Sequence, residues 1–392
     1  MTSVKRLLGS VLGVALASAL ASAPALAQDK VVFGMLTSLT GTNAVQGQDM
    51  ERGLRLALER VNAGYQVPLK GGKTHSIGPG LLGKPVEIIV EDTESRPASA
   101  MDAVRKLVNV DNVPVVIGEY SSGLSLPTGQ FTNENKRVQI SIASTSPALR
   151  DIGPYFFNTI ALDDIAGAAL AEFAFKDSGV KKFGSITPNN PFGIGIELTS
   201  CKALKELGGE CVSTVRYELE KPDYRAEVKQ VFAPQPEAAF YTAYGTESRL
   251  IFRQAFEQGL KPPKGWYADY MGMWSTELKQ IPEAAEGVKG FVAGAKPSEK
   301  VYAKPYEAKY GEPPPTVWGA YAYDAMMLVA LAIDEAGSSD PDAVRKALPV
   351  VSKDYLGVTG DKAMDEDGMQ VTESYRFKIY KNGELHDYPA TM

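Results

Sequence analysis

The chain has 392 residues, 44% hydrophobic and 22% charged, with 41 Lys and Arg against 47 Asp and Glu for a formal net charge of −6. That acidic balance argues against nucleic acid or an anionic membrane as the main partner, since both call for a basic surface. With only two histidines, His75 and His386, a Ser-His-Asp hydrolase or a histidine-ligated metal site is disfavoured as well.

Residues 1–27 read as a secretory signal peptide. Lys5-Arg6 form a positive start, Leu7 to Ala23 an uncharged apolar run, and Pro24-Ala25-Leu26-Ala27 an Ala-x-Ala cleavage pattern. The run is too short and too rich in Ala and Gly for a stable membrane anchor, and no cysteine follows it to carry a lipid. From Gln28 onward 365 residues hold 39 basic and 47 acidic side chains, enough chain for two domains.

In order, Lys30 to Leu36 predicts a strand ending at Thr37-Ser38-Leu39-Thr40-Gly41. Asp49 to Ala63 places Met50, Leu54, Ala57, Leu58 and Val61 on one helical face. Tyr65 to Gly83 has neither period and reads as an exposed loop; Val86 to Val90 is a strand and Ser99 to Asn109 a helix. Val115 to Ile117 and Val138 to Ile142 are short buried strands. Each ends in small hydroxyl residues, Gly118-Glu119-Tyr120-Ser121-Ser122-Gly123 and Ser144-Thr145-Ser146-Pro147. Parallel strands end on one edge of a sheet, where ligands bind, and hydroxyls beside a helix start seat a carboxylate.

The alternation then begins again. Helices are expected at 166–176, 196–207, 224–231 and 247–258, and strands at 182–187, 211–217, 238–243, 265–270 and 290–295. A long helix follows over 316–336, a shorter one over 340–348, and strands in the tail from 357 to 380. Two rounds of βα alternation predict an α/β protein of two Rossmann-like lobes, each a doubly wound parallel sheet with helices on both faces. Cys201 and Cys211 flank the Gly208-Gly209 turn, where an oxidising compartment favours a local disulfide over two free thiols.

Catalytic and cofactor motifs fail on inspection. The Gly118–Gly123 run is not a nucleophile elbow, and Gly71-Gly72-Lys73-Thr74 lacks the first glycine and leading strand of a phosphate loop. Gly193-x-Gly195 has Leu198 where a dinucleotide site needs its third glycine, and Asp365-x-Asp367-Gly368 is too short for a calcium loop. No cofactor or metal is implied.

Taken together, FGMLTSLTGTNAVQGQDMERGLRLALERVN, VVIGEYSSGLS, ISIASTSPAL, TPNNPFGIG and VWGAYAYDAM make the chain similar to periplasmic solute-binding proteins of ABC transporters. The group it resembles is the leucine/isoleucine/valine-binding, type I one, and the likeness spans Asp29 to Tyr388. It implies three crossings between lobes, near Ile160-Leu162, Lys296-Pro297 and Tyr355-Gly357. The expected division is therefore 28–161 plus 297–355 for the first lobe and 162–296 plus 356–392 for the second, closing on ligand by a hinge motion. Carried onto this sequence, Ser122 and Thr145 match the carboxylate ligands, the Ala143 carbonyl faces an ammonium, and Gln46 and Tyr120 match first-lobe contacts. Phe192 and Tyr244 match second-lobe aromatic covers, and Asp163 an acid beside the cleft.

The pattern departs at one place. The acid that meets the amino group in leucine binders aligns with Tyr270, with Asp269 one position away. If Asp269 reaches in, a branched-chain or aromatic amino acid is the expected ligand; if not, an amine-free aromatic or aliphatic carboxylate, or urea or an amide. The resemblance further implies a permease and an ATPase subunit as partners, a periplasmic location and no enzyme activity. An exported hydrolase and a ligand-sensing module are the rival classes.

Overall fold

The structure, a computed structural model, describes residues 30–388 apart from 275 and 295; the expected signal segment and the last four residues lie outside the described residues. One sheet has five strands in the order Val86–Asp92, Val31–Thr37, Val115–Ile117, Val138–Ser141, Phe156–Asn158, all parallel. A second has seven, in the order Glu384–Asp387, Tyr375–Lys381, Lys289–Ala293, Trp266–Ala268, Ala238–Tyr241, Lys182–Pro188, Glu210–Tyr217. Its last five strands are parallel, as expected. The tail adds an antiparallel hairpin at the other edge, which a two-residue turn around Asn382-Gly383 permits and a parallel return would not.

Helix packing builds the first lobe. Ala44–Ala63 lies so close to Trp318–Ala336 that a Cβ on Gly53 would fall 1.9 Å from the Gly319 carbonyl oxygen. Trp318–Ala336 is buried from Trp318 through Ile333, as a helix apolar on every face must be. The Asp49 carboxylate, also buried, accepts from the Tyr306 hydroxyl (2.9 Å), the Gly319 N–H (2.9 Å) and the Thr316 hydroxyl, pinning the two helices in register.

Three expectations change. Tyr65–Pro68 and Thr74–Ile77 pair as an antiparallel hairpin rather than an exposed loop. Val67 and Ile77 are buried there, but two inward residues on four-residue strands are too few to show a period. Tyr270 does not end a strand; it begins the short helix Tyr270–Trp274 after Trp266–Ala268.

The chain also does not leave the first lobe at Tyr355–Gly357. The buried Asp324 carboxylate accepts from the Tyr355 hydroxyl (2.7 Å), the Val358 and Thr359 N–H groups (2.8 and 3.0 Å) and the Thr359 hydroxyl (2.5 Å). Met369 then packs with Leu149, Ile152 and Phe156, and the second sheet is joined only at Tyr375. Cys201 and Cys211 are disulfide-bonded, their Cα atoms 5.5 Å apart, joining helix Pro191–Glu206 to strand Glu210–Tyr217.

Candidate functional site

The site begins where two first-lobe strands end. After Ile117 the chain turns at Gly118, where a Cβ would meet the Leu36 carbonyl oxygen at 2.1 Å, and enters helix Ser122–Glu134. Glu119, fully buried, accepts from the Thr93 hydroxyl (2.5 Å), the Ser38 hydroxyl (3.5 Å) and the Tyr120 and Ser121 N–H groups (2.5 and 3.3 Å); burial raises its pKa. The Ser122 hydroxyl oxygen accepts from the N–H groups of Thr145 and Ser146, each at 3.1 Å, tying the two strand ends together. A hydroxyl has two acceptor positions and one proton, so Ser122 keeps its O–H free to donate. The first helical bond back to Ser121 comes from Leu124, which leaves the Ser122 and Gly123 N–H groups ahead of the ladder.

The opposite wall comes from the second lobe. Asn190 caps helix Pro191–Glu206 by accepting from the Gly193 N–H (2.9 Å), and its amide donates to the Tyr244 hydroxyl (3.3 Å). This sets Phe192 and Tyr244 side by side, ring centroids 5.7 Å apart. Tyr120 is braced edge-on by Trp318 at 5.6 Å and reaches Met271 Sδ at 3.6 Å. Between the walls lies a cavity of about 220 Å³ lined by Tyr120, Ser121, Ser122, Ala143, Thr145, Phe192, Tyr244 and Met271. A larger cavity of about 420 Å³, under the hairpin by Tyr65, Tyr323 and Tyr355, lies within the first lobe and does not bridge the two.

Six of the sequence-predicted residues therefore meet: Ser122, Thr145, Ala143, Tyr120, Phe192 and Tyr244. Gln46 sits half-buried in the first turn of Ala44–Ala63 and is not among the described residues lining the cavity. Asp269 turns away. Its carboxylate accepts from the Thr242 hydroxyl (2.7 Å) and the Met271 and Gly272 N–H groups (3.1 and 3.0 Å), capping its own helix, and burial pushes its pKa up to about 7. Tyr270 instead reaches across to Thr145 in the cavity wall, although neither Tyr270 nor Asp163 lines the cavity itself. Its hydroxyl lies 2.7 Å from Asp163 and 2.8 Å from Thr145, whose hydroxyl lies 3.1 Å from the other Asp163 oxygen. Burial lifts the Asp163 pKa well above the usual carboxylate range, and the neighbouring Asp269 and Asp164 push it the same way. The Trp274 side chain lies outside the described residues. Met271 and Ser121 were missed: Met271 becomes visible only once Tyr270–Trp274 is seen to be helical, and Ser121 stood next to Ser122 in the same cluster.

The site is thus a small, aromatic-walled cavity between two α/β lobes. The family model described as "Periplasmic binding protein" matches residues 15–384, and the chain belongs to that family. It is 28% identical over 359 residues to a Leu/Ile/Val-binding protein homolog of Brucella abortus (strain 2308), covering 90% of this chain and 91% of the relative. A leucine binding protein from Thermotoga maritima superposes with a TM-score of 0.79 at 27% identity, over 92% of this chain and 98% of that one. A solute-binding protein of an ABC transporter from Rhodopseudomonas palustris BisB5, in complex with 3,4-dihydroxybenzoic acid, shares the fold. Its TM-score is 0.76 at 20% identity, over 92% of this chain and 96% of that one.

Proposed function

We propose that this protein is the exported, periplasmic receptor of an ABC importer and captures a small carboxylate-bearing solute between its lobes. The observation that carries this is the free Ser122 O–H at the start of a 13-residue helix, set beneath Tyr120, Phe192 and Tyr244. A carboxylate there meets hydroxyl and N–H donors and the positive end of a helix dipole, while its organic tail meets aromatic faces. Walls from both lobes make ligand contacts a reason for the closed form to dominate, which a permease and ATPase pair would then read. Nothing in the site asks for covalent chemistry. No described helix is long and apolar enough to cross a membrane, in keeping with a protein released after removal of residues 1–27.

A second reading, a branched-chain or aromatic amino acid, is favoured by the name of the Brucella relative and by the Ala143 carbonyl in the cavity wall. The test is a thermal-shift screen of refolded, ligand-stripped protein. Its panel holds branched-chain and aromatic amino acids, benzoate- and cinnamate-type acids, short fatty acids, urea and simple amides. A ligand at one hundred times its Kd stabilises by about 2.7 kcal/mol, a plain shift in midpoint. Response to urea and amides but to no carboxylate refutes the proposal.

A further inference from the structure

We infer that Tyr270, with Thr145 and a protonated Asp163, forms a closed hydrogen-bond ring that fills the ammonium side of the pocket and restricts this receptor to carboxylates lacking an α-amino group. The inference rests on the carboxylate reading above and names the ligand class within it. Three oxygen–oxygen contacts make up the ring, at 2.7, 2.8 and 3.1 Å, and all three side chains are buried. Each hydroxyl has one proton to give. If Asp163 were ionised, two protons would have to serve three contacts, and one pair of oxygens would face each other with lone pairs alone. A proton on Asp163 closes the circuit: Asp163 donates to Tyr270, Tyr270 to Thr145, and Thr145 to the second Asp163 oxygen, each group giving once and receiving once.

The surroundings agree with that count. Burial disfavours the ion most; hydrogen bonds from Tyr270 and Thr145 favour it without offsetting burial, and the nearby Asp269 and Asp164 oppose a further negative charge. The start of helix Asp163–Ser178 favours the ion, by an amount that falls short of full desolvation.

The ring also spans the cleft, since Thr145 belongs to the first lobe and Asp163 and Tyr270 to the second. Tyr270 thus supplies to Thr145 the hydrogen an incoming ammonium would supply, and Thr145 gives its own to Asp163. An amino acid would have to break the ring and then set its cation against a neutral group. Asp269 is turned elsewhere, accepting from Thr242 on one oxygen and from Met271 and Gly272 on the other, and it does not line the cavity.

The test is calorimetry on the full mature chain with matched pairs differing only in the α-amine: 4-methylpentanoate against leucine, and 3-phenylpropanoate against phenylalanine. Wild type is expected to bind the better amine-free member at least ~100-fold more tightly than its partner, the scale of an unpaired buried charge. Tyr270→Glu, which returns an acid to this position, is expected to shrink or reverse that ratio, and Tyr270→Phe to narrow it by opening the ring. Equal or tighter binding of leucine or phenylalanine by wild type overturns the inference while sparing the carboxylate reading. Heat from none of the four, together with no response to any carboxylate of the thermal-shift panel, overturns both, and the wild-type comparison stands even if a variant fails to fold.

Discussion

Replacing Ser122 with Ala separates the two tasks assigned to one oxygen. In the folded protein that oxygen accepts the Thr145 and Ser146 N–H groups at 3.1 Å each, and Ser122 is only 2% exposed, so water cannot readily take its place. Leaving a buried donor unpaired costs about 1–3 kcal/mol, so two orphaned N–H groups predict a loss of about 2–6 kcal/mol. At roughly 2–4 °C per kcal/mol for a lobe of this size, the midpoint of thermal unfolding falls by several degrees or more. Binding suffers separately. A hydrogen bond to a charged group contributes about 1.5–3 kcal/mol, so losing the O–H donor weakens carboxylate affinity by roughly 10- to 150-fold. Calorimetry well below the lowered midpoint reads affinity, and differential scanning reads stability. A lowered midpoint with unchanged affinity would refute the ligand role and leave Ser122 as a strut between two strand ends.

Asp324→Ala removes the acceptor for four donors and should cost at least ~3 kcal/mol by urea unfolding; a loss within ~0.5 kcal/mol would show that 356–362 is held by other contacts. Replacing both Cys201 and Cys211 with Ser opens a loop with a sequence separation of 10, for which chain entropy predicts a loss of about 2.7 kcal/mol, also read by urea unfolding. Stability should fall as pH rises from about 4 toward 7. Asp269, pushed up to about 7, and Asp163 and Glu119, also raised, hold protons in the folded state that the unfolded chain has already released. Asp177 acts the other way below about pH 4, since Lys289 and the Tyr388, Ser178 and Tyr267 hydroxyls overcome burial to hold its carboxyl below the usual range. A thermal midpoint higher at pH 8 than at pH 5 would contradict this reasoning.

Much of this molecule was legible in its sequence because strand ends carry their own chemistry. The clusters around Ser122 and Thr145 stood out as runs of small hydroxyl residues after buried strands, and the structure brings them together through the Ser122 oxygen. What the sequence hid depended on single residues of register. Whether Asp269 or Tyr270 faces the cleft turns on where Trp266–Ala268 stops and the next helix starts, a boundary that hydrophobic pattern does not resolve. The third crossing was misplaced for a similar reason. Asp324 lies inside an apolar helix, and nothing in its neighbours reveals that it gathers donors from Tyr355, Val358 and Thr359.

The most direct measurement is a crystal structure of the refolded protein grown with the tightest-binding acid of the screen. The acid is expected between the lobes, its carboxylate within ~3 Å of the Ser122 hydroxyl and the first N–H groups of helix Ser122–Glu134, its tail against Tyr120, Phe192 and Tyr244. An acid bound outside this cavity, or reversed with its carboxylate away from Ser122, would contradict it.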